Sequence, residues 1–212
     1  MSNKREILAP RRSGFKSQNL PRYLIVVDTE QTEYNYLNGL KNTIPRHLID
    51  RIDIQIKNTA TDNLVEYCLN MCRKSPNYVT PWIVFDRDRV VNFDKIICDA
   101  QNHKINVAWS NPCIETWFFS YYDKPQNISE STICVSKFKE KFKQVAGQEY
   151  KKNDKNIYKK LNQTGFQDKA IKYHEVKFKN YKQDETLPSE MFSCSTMYML
   201  ISELLEIISK LK

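Results

Sequence analysis

The chain is poor in glycine. It has four in 212 residues, and no GxGxxG or Walker-type loop can be built from them. Such loops need a flexible backbone close to the anion, so nucleotide hydrolysis by this chain alone is not expected. Long apolar runs are also missing; none approaches the roughly 20 residues that span a bilayer. Hydrophobic residues make up an ordinary 41%, and mean hydropathy is −0.63. Residues 1–20 are basic but lack the apolar segment and cleavage site of a secretory signal. They read as a flexible arm on a protein expected in the cytoplasm. The six cysteines (Cys68, Cys72, Cys98, Cys113, Cys134 and Cys194) show no paired CxxC motif and no zinc-type histidine spacing. Cys68 and Cys72 share one helix face, and reduced, buried thiols are the expectation. The three histidines (His47, His103 and His174) are scattered, none in a nucleophile motif, so a triad hydrolase has no support.

Charge is present in excess of one sign. Lys and Arg total 33 against 25 Asp and Glu, a net charge of +8. The excess is concentrated in two places. Residues 1–22 carry six basic side chains against Glu6, and residues 137–182 carry 14 lysines against five acids. Tyr150, Tyr158, Phe166, Tyr173, Phe178 and Tyr181 are interleaved with the second group. Lysines that neutralise phosphates beside rings that stack bases form a nucleic-acid footprint, although a solvated helix face has the same composition.

Hydrophobic patterning gives alternating strands and helices. Strands are expected at about 22–28, 52–56, 79–86 and 105–109, with helices at about 31–42, 61–74, 91–101 and 112–122. Pro112 suits a first helical turn. Residues 131–180 read as helices with polar joints, and 195–211 as a closing amphipathic helix. Alternation of this kind implies an α/β fold with a parallel sheet flanked by helices and right-handed crossovers.

Two strand ends are acidic. The run Trp82–Phe85 ends in Asp86-Arg87-Asp88, and Leu24–Val27 ends in Asp28-Thr29-Glu30-Gln31-Thr32-Glu33. The carboxyl edge of a parallel sheet is where ligands bind. In an extended chain residues i and i+2 point the same way, so Asp86 and Asp88 can converge on a hard cation such as Mg²⁺. Helix capping by the same residues is the alternative reading, since Thr29 or Thr32 with a following Glu resembles a capping box.

The segments LIVVDTEQTEYNYL, WIVFDRDRV, SNPCIETWFFSYY, YKKNDKNIYKKL and SCSTMYMLISELL resemble, in order and spacing, the RloB-like proteins of bacterial phage-defence loci, often found beside an ATPase. The resemblance covers about residues 20–210. It implies a TOPRIM-like fold: an arm at 1–20, an α/β core at 21–125, and a lysine-rich helical region with a closing helix at 126–212. It further implies Mg²⁺- or Mn²⁺-dependent cleavage of phosphodiesters in RNA or DNA. Asp28, Glu30, Glu33, Asp86, Asp88 and Glu115 are then catalytic candidates, with Asp28, Glu33, Asp86 and Asp88 as metal ligands and Glu33 as a candidate general base. Asn111 joins Glu115 in a second tier. Lys151, Lys152, Lys159 and Lys160 would hold the nucleic-acid backbone. A partner ATPase and a homo-oligomer are further implications, and no membrane partner is expected. The chain departs from the family pattern at Val27-Asp28-Thr29, where cysteine-glutamate-glycine is usual. That shortens the carboxylate and removes the flexible glycine. The departure keeps a second class open, a non-catalytic module that binds nucleic acid or docks on the ATPase.

Overall fold

The computed structural model describes residues 22–57, 61–75, 78–88, 90–125, 127–181 and 185–210. The basic arm expected at 1–20 lies outside them. Strands β1 (Arg22–Val27), β2 (Ile52–Ile56), β3 (Tyr78–Asp86), β4 (Asn106–Asn111) and β5 (Cys194–Ser195) form one sheet in the order β2-β1-β3-β4-β5. The first four are parallel. β5 runs antiparallel to β4, pairing Ser195 with Ser110 and Cys194 with Asn111. The parallel sheet expected over β1 to β4 is thus present, with an added antiparallel edge strand. Two residues are too short to show a period, so the pairing leaves no mark in the sequence.

The apolar strand runs follow from burial on both faces. Tyr23, Ile25, Val27, Trp82 and Val84 face one core, and Leu24, Val26, Ile83 and Phe85 face the other. Helix α1 (Thr32–Lys41) lies on the first face, while α2 (Leu64–Lys74) and α3 (Phe93–Asn102) lie on the second. The first core also takes in α4 (Glu115–Phe119), α5 (Ser131–Ala146), α6 (Ile157–Thr164), α7 (Gln167–Asn180) and α8 (Met197–Lys210). Trp117 and Phe118 sit at its centre with no exposed surface, as expected of core residues. The lysine-rich helices therefore share a core with the sheet. Gly39 of α1 lets α6 approach closely, because a Cβ there would stand 2.6 Å from Tyr158 Cβ.

The helix expected over 112–122 contracts to α4. The Pro112 carbonyl accepts from Asp88 N at 2.9 Å, and Thr116 N bonds to Cys113 O instead. Pro112 thus ties two loops together and does not open a helix. All six cysteines are free; Cys98 is exposed and Cys72 half-buried, which corrects the expectation that every thiol is buried. Among the described residues no helix is long and apolar enough to cross a membrane.

The chain leaves β1 through α1 on one face and β3 through α3 on the opposite face. Since β1 and β3 are neighbours, the turns that follow them diverge and open a crevice at their carboxyl ends.

Candidate functional site

A cavity of about 870 Å³ fills that crevice. Its walls include Asp28, Glu30 and Glu33 from the first turn and α1, Asp86 and Asp88 from the end of β3, and Lys152 from the α5–α6 loop. β1 and β3 run in register, with Val27 opposite Val84, so Asp28 and Asp86 emerge on the same edge. Glu33 sits in the first turn of α1, which points it back toward the strand ends.

The carboxylates differ in setting. Glu33 is buried, and its Oε2 accepts from Thr29 Oγ1 at 3.1 Å. Asp86 is half-buried, and its Oδ2 accepts from Ile114 N at 2.9 Å. Hydrogen bonding from Asp86 offsets part of the rise that burial causes at Glu33. Burial, then repulsion from Glu33 and Glu115, raises the Asp86 pKa well above the ordinary carboxylate range. Burial raises Glu33 as well, with Glu115 repulsion adding to it. Asp28 is pushed up to about 7, by burial first and the Glu33 charge second, against a weak bond from Thr61 Oγ1 at 3.4 Å. Acids held together with raised proton affinity form a site with a standing demand for positive charge.

Glu115 stands behind the cavity wall and is 1% exposed. Its Oε1 accepts from Tyr150 Oη at 2.8 Å and lies 3.8 Å from Lys152 Nζ. Its Oε2 is buried with no hydrogen-bond partner. Desolvation pulls the Lys152 pKa down, but attraction from Glu115, then Cys113, Asp86 and Glu33, outweighs it and the pKa is raised. The Lys152 carbonyl accepts from Thr32 Oγ1 at 3.1 Å, which pins this loop to the start of α1.

Asp88 behaves differently from Asp86. The strand ends at Asp86, and Asp88 has φ of 20°, so the alternation that would aim both carboxylates alike stops between them. Asp88 is exposed at the cavity rim, where its Oδ1 accepts from Ser131 Oγ at 2.6 Å. Glu30 is exposed on the same rim. Asn111 points elsewhere, donating to the Pro188 and Ser189 carbonyls at 3.0 and 2.9 Å. Of the four lysines assigned to nucleic acid, Lys152 reaches the cavity and Lys160 pairs with Asp154 at 2.7 Å. Lys151 and Lys159 are exposed. Among the described residues no group of three or more His, Cys, Asp or Glu side chains is set closely enough to hold a metal ion as it stands.

Two contributors were not anticipated. Tyr150 was read as a stacking ring, yet its hydroxyl serves a buried acid. Thr29, at the position where the resemblance implies glycine, gives its hydroxyl to Glu33. The only signal for Tyr150 was its place at the head of the YKKND segment.

A family model described as RloB-like protein matches residues 23–204. No curated protein and no solved structure matches the chain.

Proposed function

The chain belongs to the RloB-like family, and from that premise and the clustered carboxylates we infer that it is a TOPRIM-like, Mg²⁺- or Mn²⁺-dependent nuclease. It acts on phosphodiesters of RNA or DNA in a bacterial antiviral defence, with a partner ATPase. The defence setting, the partner and the TOPRIM comparison rest on the family resemblance; the chemistry rests on the site. The observation that carries it is the meeting of Asp28, Glu33 and Asp86 at the switch point of a parallel sheet, with each pKa raised.

The residues suit a hard divalent cation. The donors are carboxylate oxygens, the unpartnered Glu115 Oε2 marks an unmet demand for positive charge, and among the described residues lining the cavity the Cys113 thiol is the one soft donor. Asp28 and Asp86 are the residues that would hold it, with Glu33 beside them and Asp88 at the rim of the same cavity. When bound, such an ion lowers the pKa of water and offsets charge on the phosphodiester.

The chain's own groups then have distinct tasks. Asp86 is fixed by the Ile114 amide, so its carboxylate keeps one orientation. Glu33, whose proton affinity burial has raised, takes the proton from the attacking water. Lys152 meets the scissile phosphate's charge at the cavity wall, and Tyr150 and Thr32 keep Glu115 and the Lys152 loop in position.

The test is a cleavage assay on total RNA and plasmid in Mg²⁺, with and without the partner, using folded variants checked by circular dichroism. Asp86→Ala and Asp28→Ala should abolish cleavage, and Asp28→Glu should retain or raise it. Wild-type cleavage by Asp86→Ala refutes the nuclease reading.

A further inference from the structure

A second cavity, of about 680 Å³, lies between α7 and the turn that follows α4. It is separate from the carboxylate site: Glu115 begins α4 and stands at the first cavity, whereas Ser120 and Tyr122, beyond the helix end, line the second. Its charge is the reverse. Lys124, Lys169, Lys172 and Lys177 surround it, and its one acid, Asp123, is paired with Lys141 at 3.2 Å. Lys169, Lys172, Tyr173 and Val176 fall on one stripe of α7 at helical spacing.

Lys177 is half-buried, and desolvation lowers its pKa. Its ammonium donates to Asn127 Oδ1 at 3.0 Å and to Tyr173 Oη at 3.5 Å, both neutral acceptors. Among the described residues no carboxylate pairs with it, nor with Lys124, Lys169 or Lys172. Holding a partly desolvated ammonium without a counter-charge is costly, and an anion entering the cavity removes that cost. The wall also offers rings. Tyr173 is held by donation to the Pro125 carbonyl at 3.1 Å, and Tyr122 by its contact with Thr164 Oγ1 at 2.8 Å. Fixed rings next to lysines suit a flat base attached to a phosphate, and the volume is that of a small-ligand site.

We propose that this cavity binds the phosphate of a nucleotide unit through Lys169, Lys172 and Lys177, with the attached base against Tyr122 or Tyr173. The unit comes either from a free nucleotide or from a nucleic-acid strand. Neither the binding nor its test depends on the carboxylate site.

Calorimetry on the full chain in EDTA, with adenosine 5′-monophosphate, inorganic phosphate and a ten-nucleotide single strand as probes, separates the cases. The lysines to change are Lys169→Ala with Lys172→Ala, both exposed, and separately Lys177→Met, each variant checked for folding by circular dichroism. Lys95→Ala on α3 is the control for loss of one surface charge. Mononucleotide binding that competes with phosphate and weakens at least tenfold in both lysine variants, but not in the control, supports a free-nucleotide site. Binding of the strand alone, with the same dependence and a salt slope flatter by about 1.4 in the double variant, supports a strand site. Failure of all three probes to bind, or binding that the lysine variants leave unchanged, overturns the proposal.

Discussion

Burial of His174 should cost this protein stability in acid. The ring has no exposed surface and packs on Trp117 at 5.6 Å and Tyr173 at 5.0 Å between centroids. Its Nδ1 accepts from Ser195 N at 3.2 Å, which places the proton of the neutral ring on Nε2. Desolvation brings the pKa from 6.5 to about 3, and the nearby Thr116 carbonyl offsets only part of that without a well-formed bond to Nε2. The folded state therefore excludes a proton that the unfolded chain binds. Between pH 3 and 6.5 the unfolded state carries more protons, so stability is full above 6.5 and falls as pH drops. At pH 4.5 linkage gives a loss of roughly 2.7 kcal/mol, a large share of the roughly 5–15 kcal/mol of a typical domain. The clustered carboxylates titrate in the opposite sense, so the comparison has to be differential. Urea unfolding of wild type and His174→Gln, whose amide oxygen still accepts from Ser195 N, should be followed at pH 7.5 and 4.5 in EDTA. The gap between the two proteins should move by roughly 2–3 kcal/mol in favour of the variant at low pH. Parallel stabilities at both pH values would show that the imidazole is not held neutral by burial.

Asp28, with a folded pKa of about 7 against 3.8, has the opposite slope: stability is lost as pH rises through that window. Asp28→Asn should accordingly raise stability by roughly 1–3 kcal/mol at pH 8 in EDTA and by little at pH 4. If Asp28 and Asp86 hold Mg²⁺, the ion should raise the wild-type melting temperature at pH 8 and should do so less in Asp86→Asn, read by calorimetric scanning. Tyr150→Phe removes a donor from the buried Glu115 and should cost roughly 1.5–3 kcal/mol, a cost that a double-mutant cycle should cancel in part with Glu115→Gln. Gly39→Ala should destabilise by roughly 1–3 kcal/mol in urea melts despite alanine's better helix propensity, because the new methyl meets Tyr158 Cβ.

The parts legible in the sequence were those with a local signature. Four strands, α1 to α3 and the acidic ends at Asp28 and Asp86 could be read because β1, β3 and β4 carry short apolar runs, β2 alternates as a half-buried strand does, and the ligand edge follows a strand end at once. Contacts between distant segments left no such trace. β5 is two residues long, and Tyr150 meets Glu115 across a separation of 35 residues. Asp88 was read from an alternation that requires extended backbone, and the turn at φ of 20° ends that condition. Lys152 and Lys160 shared a composition with the other lysines, yet one reaches the carboxylates and the other is paired with Asp154. Charge density cannot separate those fates, because it records how many cations there are and not which acids they face.

The distance along the chain between Glu115 and its partners also orders events in time. A ribosome delivers Asp28, Glu33, Asp86 and Glu115 before it delivers Tyr150, which follows Glu115 by 35 residues. At about 5–20 residues per second, that leaves an interval of about 2–7 s in which the acids exist without the hydroxyl and ammonium that answer them. During that interval Glu115 is without the hydroxyl that Tyr150 donates to it in the folded protein. The acids of the crevice and the groups that answer them thus come from separate stretches of chain, and a chain cut before Tyr150 carries Glu115 without its donor.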